Sequence, residues 1–427
     1  MVARTASPGR AGNRSCAREI GALTLVLACA ALLALGECGT ARAQEETSRQ
    51  PSPDGQRLVV SGQASVSVSS ADHGYYNYSS YSLDLLRLAQ FDLSASFRVD
   101  RRILLVADLR ADGSTSGHEW EIRPQAAFIR FRPWPRRAFD IQGGIIPPVF
   151  GSFGRRAYAR DNPLVGMPLA YQYLTSLRSD SVPASADELL GQRGRGWLSS
   201  FSVGETYHGA GLPVIDGLRN QLGVEVRAGS GLPVEVEAAV TSGSLSVPRG
   251  DYAPAWRQFS GRVAVRPFAG LVVGVSGSRG IFLAQSISAV YPDAPSGRQT
   301  AIGFDAEWSL GHWLLRTEEV VSRWRLPRIS APYIDGPLDA FGISVEGRYR
   351  LRPGLDVAAR FDHLDFSEIS GSQGTIGWEA PVGRVETGLA YSPIRRVVTK
   401  LSWQWNWRDT SFRPHEGVVA AQVLVWF

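Results

Sequence analysis

What constrains this chain most is an alternation of apolar and polar residues, period two, recurring almost from end to end. Leu58, Val60, Gly62, Ala64, Val66 and Val68 interleave with Ser61, Gln63, Ser65, Ser67 and Ser69. Ala89, Phe91, Leu93, Ala95 and Phe97 interleave with Gln90, Asp92, Ser94, Ser96 and Arg98. Similar runs cover 222–228, 234–240, 341–348 and 356–362, and Leu401, Trp403, Trp405 and Trp407 alternate with Lys400, Ser402, Gln404, Asn406 and Arg408. Successive side chains of an extended chain point to opposite faces, so each run reads as a strand with one oily and one wet face. Helical spacing is nowhere sustained.

The breaks between runs fall into two kinds. Tight ones lie at 99–102, 132–137, 229–233, 266–270, 310–312, 352–354 and 392–396. Longer ones lie near 70–81, 111–119, 147–219, 243–257, 281–299, 327–338, 367–383 and 409–415. Seven tight turns interleaved with eight long loops imply sixteen strands, with both chain ends on the tight-turn side. The stretch between 366 and 384 has room for one short extra hairpin.

A soluble sandwich would bury the apolar faces. So many strands with a charged or hydroxylated face would then need a large core, yet only 44% of the residues are hydrophobic. A wide membrane barrel reverses the arrangement, with apolar faces on lipid and polar faces on water. Its closed ladder pairs every backbone group, as hydrocarbon requires. Aromatics near strand ends, Trp403, Trp405, Trp407 and Trp426, suit an interfacial girdle. The expected fold is all-β: a closed antiparallel transmembrane β-barrel of about sixteen strands over 57–427, with short periplasmic turns and long extracellular loops.

The other end of the chain speaks to location. Arg4, Arg10, Arg14 and Arg18 precede an apolar run from Ile20 to Leu35, then Ala41-Arg42-Ala43. That order reads as a signal peptide over 1–43, cleaved near Ala43 after Sec-type export. Residues 44–56 then form a short polar periplasmic segment. All three cysteines, Cys16, Cys29 and Cys38, fall in the removable part, so the exported chain has no thiol for a disulfide or a metal. Removing five arginines and two glutamates from 45 basic and 40 acidic residues leaves 40 and 38, a net charge of about +2. No basic surface for nucleic acid is implied.

The chain ends Glu416-Gly417-Val418-Val419-Ala420-Ala421-Gln422-Val423-Leu424-Val425-Trp426-Phe427. A terminal Phe427, with Val425 and Val423 on the same face, resembles the signal read by the outer-membrane barrel-assembly machinery. The whole exported chain resembles bacterial sixteen-stranded outer-membrane porins. Gly144-Ile145-Ile146-Pro147-Pro148-Val149-Phe150-Gly151 resembles a region of the phosphate-selective-porin-like superfamily, but a single lysine, Lys400, does not carry phosphate selectivity over. The resemblance implies a passive channel for small hydrophilic solutes with no cofactor, contact with lipid and lipopolysaccharide, and a homotrimer. The alternatives are a channel for a specific amphipathic or hydrophobic solute, and a non-conducting barrel.

The outlier is the 73-residue break from Pro147 to Arg219, far beyond ordinary loop lengths and therefore functional by expectation. Porins of the resembled kind fold a long loop into the lumen. Candidate constriction residues are Arg155, Arg156, Tyr158, Arg160, Asp161 and Arg178, since charged rings in a pore select by sign. The seven arginines of the break meet six carboxylates, so any anion preference is mild. Arg98, Arg227, Arg348, Arg360, Lys400 and Arg408 lie on polar strand faces as candidate lumen residues, with Asp92, Glu225, Glu235, Glu346 and Asp362 placed to satisfy them across strands. The six histidines are scattered, neither G-x-S-x-G nor H-E-x-x-H occurs, and no enzyme is expected.

Overall fold

A computed structural model describes residues 57–79, 83–115, 120–156, 158–247, 257–291 and 297–427. The expected signal peptide and the 44–56 segment lie outside them. Sixteen antiparallel strands close into one barrel in chain order. They are β1 (Leu58–Ser69), β2 (Leu88–Arg98), β3 (Ile103–Ser114), β4 (Trp120–Phe131), β5 (Phe139–Ile146), β6 (Gln221–Ala228), β7 (Val234–Ser242) and β8 (Arg257–Val265). The second half comprises β9 (Leu271–Ile281), β10 (Arg298–Leu310), β11 (Trp313–Trp324), β12 (Leu338–Arg352), β13 (Leu355–Phe366), β14 (Val382–Tyr391), β15 (Val397–Arg408) and β16 (His415–Trp426). β1 closes on β16 from Gln63 opposite Trp426 to Ser69 opposite Ala420.

The tight turns all lie at one end and the longer loops at the other. Local chemistry fixes the turns: in the first, the Asp100 carboxylate accepts from the backbone N–H groups of Arg102 and Ile103 at 2.7 and 2.9 Å. Pro124 has no N–H to give to the ladder, and it sits beside the register shift between β3 and β4. The extra hairpin also forms, Glu368–Gly371 pairing with Gly374–Gly377.

The two faces of the wall are those of a membrane barrel. Outward-pointing Phe91, Leu109, Ile122, Ile129, Leu222, Val275, Ile302 and Leu401 are exposed, while inward Gln63, Asp92, Arg110, Gln142, Glu225, Arg360 and Gln404 are buried. Trp403 and Trp405 point outward as expected, and the Trp407 ring lies over Gly383 of β14. Trp426 differs. Its parity puts it on the inner face, where it packs beneath a guanidinium instead of joining an interfacial belt.

The inner face is not wet throughout. Toward the loop end it turns apolar, with Val320, Trp324, Leu338, Ala340, Leu364, Phe366 and Val382 buried. They pack against Phe150, Phe153, Tyr171, Leu177, Val182, Leu189 and Phe201 of the segment that follows β5. The barrel thus holds a hydrophobic core inside its loop half. The physical reason is that the long segment turns inward and brings its own apolar side chains, which the wall must match.

Candidate functional site: a segment pinned across the lumen

Between β5 and β6 the chain forms short helical pieces, Gly154–Arg156, Ala159–Asp161, Leu169–Gln172, Ala186–Leu190 and Gly196–Leu198, and one small strand pair, Ser181–Val182 with Val203–Gly204. Its entry is a turn at Gly151, with φ of +61°, where a β-carbon would strike the Glu318 carboxylate of β11. Glu318 collects the segment's first turn. It accepts from the Ser152 and Phe153 backbone N–H groups at 3.1 and 2.9 Å and from the Tyr171 hydroxyl.

From there a ten-residue run touches strands all around the wall. Arg155 pairs with Glu237 of β7, and Arg156 approaches Glu346 of β12 at 4.0 Å. The Tyr158 hydroxyl donates to Asp108 of β3 at 3.3 Å, and its ring lies under Arg110, 5.1 Å from the guanidinium carbon. Lys400 of β15 donates to the Ala159 carbonyl, and Arg160 sits 4.6 Å above the Trp426 ring of β16. Burial lowers the pKa values of Arg155, Arg156 and Arg160 and raises that of Tyr158. Asp161 lines the same cavity as Arg155 and Arg156. Arg178 is elsewhere. Its guanidinium is held by Asp180 at 2.8 Å and by the Ser199 and Tyr207 carbonyls, so it braces the segment from within.

Four of the six strand cations, Lys400 among them, also have defined partners. Arg227 pairs with Glu225 and Glu237 at 2.9 and 2.7 Å. Arg360 is fully buried among Glu386, Asp362 and Glu346 at 2.6, 3.0 and 3.5 Å. Arg408 reaches the Phe412 carbonyl at 3.0 Å and covers the Tyr76 ring at the loop end. Arg98 and Arg348 are half-buried on the inner face near the turn end.

Sequence reasoning passed over Arg110, Arg123, Glu237, Asp305 and Glu318. Arg110 binds Asp92 at 2.5 Å, Arg123 binds Asp112 at 2.5 Å, and Arg262 spans to Asp305 at 3.1 Å. A signal was present, because Arg110 alternates with Asp108 and Asp112 along β3. Among the described residues, no group of His, Cys, Asp and Glu is placed to hold a metal ion.

Two cavities flank the segment. The lower one, about 250 Å³, touches Asp108 of β3 and Arg130 of β4 and is lined by six arginines and six carboxylates. The upper one, about 280 Å³, touches Asp112 and Arg123 of the same two strands, with Leu83, Leu212, Leu218 and Phe282 opposite. Arg110 lies between them in register. Its Nε donates to Asp92, while its two terminal nitrogens are buried over the Tyr158 ring and donate no hydrogen bond among the described residues.

The chain is similar in structure to Salmonella typhi OmpF in complex with daunomycin, with a TM-score of 0.52 at 11% identity. It is likewise similar to the outer membrane channel DcaP of Acinetobacter baumannii, with a TM-score of 0.51 at 12% identity. Both alignments cover 87% of this chain and 97% of the other. The fold is that of a sixteen-stranded outer-membrane porin. At such identity the porin likeness concerns architecture alone. The sequence matches no family model, and no curated relative matches it.

Proposed function

We propose that the protein is an outer-membrane porin, a passive diffusion channel for small hydrophilic solutes. In this reading it is exported by a signal peptide cleaved near Ala43, and its turns face the periplasm. The barrel-assembly machinery reads Phe427, Val425 and Val423, and the barrel assembles as a homotrimer among lipid and lipopolysaccharide. The observation that carries it is the pair of cavities above and below the 147–219 segment, set against the same two strands with Arg110 and Tyr158 between them. Solutes then pass along the β3–β4 wall, and the segment narrows the path. The even balance of arginines and carboxylates around the lower cavity supports weak selectivity by sign, with Arg155 and Arg156 supplying a mild anion preference.

Reconstitution into planar bilayers tests the reading. Stepwise conductance that rises in Arg110→Ala supports it, and a silent, correctly folded protein ends it. The leucine-rich side of the upper cavity favours a second reading, a channel for amphipathic solutes. That reading requires concentration-dependent block of the ion current by such a compound.

A further inference from the structure

Four aromatic rings from three separate loops meet at the loop end of the barrel. Tyr75 and Tyr78 come from the loop after β1, Trp197 from the lumenal segment, and Phe412 from the loop between β15 and β16. Tyr75 lies flat on Trp197, with ring centres 3.7 Å apart and planes 9° from parallel. Phe412 stands beside that pair, its centre 6.5 Å from Tyr75 and 6.3 Å from Trp197, tilted by 23° and 32°. Tyr78 continues the row, 4.9 Å from Tyr75, and the next residue, Ser79, lines the upper cavity.

The backbone leaves its ordinary range to put Tyr75 there. Its φ is +58°, in the left-handed region that a bulky side chain rarely enters. Carboxylates hold the chain on both sides of it. Glu416 accepts from the His73 and Gly74 backbone N–H groups, and Asp72 from those of Tyr76 and Asn77 at 3.1 and 2.8 Å. Residues clamped in such conformations gather at ligand sites, where the strain is part of the mechanism.

The rings are not sealed over. Phe412 is 42% exposed, and Tyr75, Tyr78 and Trp197 are half-buried. Beside them Arg193 pairs with Asp409 at 3.3 Å, and the Asp409 side chain is 77% exposed. The same two stretches are in close contact, since a β-carbon on Gly194 would meet the Thr410 side chain. Ring faces and a charged pair of both signs therefore share one surface.

A ligand suited to that surface has an apolar face for the rings and hydroxyls at its edge. The guanidinium donates to hydroxyl oxygens, and the carboxylate accepts from hydroxyl protons. A planar aromatic solute has the face without the edge, and a simple ion has neither. A pyranose has both, with C–H bonds on its faces and hydroxyls around its rim.

Resting on the reading of the protein as a channel for small hydrophilic solutes, we infer that Tyr75, Trp197, Phe412, Arg193 and Asp409 form a docking site for neutral pyranose saccharides at the loop-end mouth. The sugar lies against the exposed rings while its hydroxyls meet Arg193 and Asp409. The row of rings then leads it past Tyr78 to the upper cavity.

Saturation-transfer NMR of the full chain in detergent tests this with cellotetraose, a neutral chain of glucopyranose rings. The controls are a polyethylene glycol of similar length and indole. Cellotetraose ring protons should be saturated, and neither control should respond. Phe412→Ala and Asp409→Ala should each weaken the saccharide about fivefold, the scale of one lost contact, while the heat-modifiable gel mobility of a folded barrel persists. Trp197→Phe keeps a ring and should lose less than Trp197→Ala. No saturation of cellotetraose by the unmodified protein overturns the site, whether or not any variant folds. An equal response from polyethylene glycol or indole also overturns it, as does unchanged affinity in folded Phe412→Ala. Conductance in planar bilayers is measured separately. A protein that conducts without binding the saccharide loses only the docking site, and one that binds it but stays silent loses only the channel reading.

Discussion

The carboxylate of Glu237 on β7 holds two guanidiniums at once, Arg155 from the lumenal segment and Arg227 from β6. Changing Arg155 to Ala removes one positive charge from the lining of the lower cavity. A unit charge ~8 Å from a permeating ion in water is worth about 0.5 kcal/mol, close to RT. Because that charge acts with opposite sign on anions and cations, the ratio of anion to cation permeability should fall about fivefold, and Glu237→Gln should raise it by a similar factor. Reversal potentials in a salt gradient report both shifts. Identical values for all three proteins would remove this pair from the filter.

Glu318 is the anchor of the segment, with four donors from Ser152, Phe153 and Tyr171 converging on it. Each hydrogen bond to a charged group contributes about 1.5–3 kcal/mol. Glu318→Ala should release the segment's entry turn without touching the strand ladder. The expected outcome is larger and noisier single-channel steps from a barrel whose circular dichroism is unchanged.

Arg360 is enclosed by Glu346, Asp362 and Glu386, all within 3.5 Å. Arg360→Met leaves those carboxylates buried with one cation fewer. Breaking a buried ion pair from one side costs about 3–5 kcal/mol. The variant should unfold at markedly lower temperature, and adding Glu386→Gln should recover part of the loss. A melting temperature equal to that of the unmodified protein would refute the assignment.

Asp84, in the loop after β1, accepts from the Leu86 backbone N–H at 2.9 Å. Burial and then Asp72 lift its carboxyl from 3.8 to about 7. The folded loop therefore holds a proton that an undocked loop gives up. Its stabilising effect is complete below the ordinary carboxylate range and disappears as pH climbs through about 7. Amide exchange at Leu86, corrected for intrinsic rate, should be slower at pH 5 than at pH 8. Asp84→Asn keeps the acceptor and should erase the difference.

The terminal residue is held in the closing seam. Phe427 donates to and accepts from Gly62 at 3.0 and 3.3 Å, and its ring covers Gly62 so closely that a β-carbon there would meet it. Gly62→Val should push the ring aside and lower the heat resistance of the assembled barrel. Phe427→Ala in that background should relieve the clash. If Gly62→Val migrates on unheated gels like the unmodified protein, the contact does not matter.

Much of the wall could be read from residue order, because period two states which side chains share a face. Tight turns such as Leu310-Gly311-His312-Trp313 and the extra hairpin at Glu368–Gly377 announce themselves locally. What could not be read is partnership across the lumen. The face of Glu318 follows from parity, but its partner Ser152 is 166 residues away. Trp324 and Leu338 look like ordinary strand residues until the segment arrives to cover them. Arg178 resembles the other segment arginines, although Asp180 two residues on gave a local hint of its internal role.

The mixed core inside the barrel has a consequence for biogenesis. Its apolar side chains come partly from β10–β14 and partly from the segment, so neither set is shielded from water until they meet. A sheet that sealed around an empty centre would leave the segment outside with its oily residues wet. The order of events during insertion is therefore dictated: the passenger must be aboard before the hull is caulked along β1 and β16.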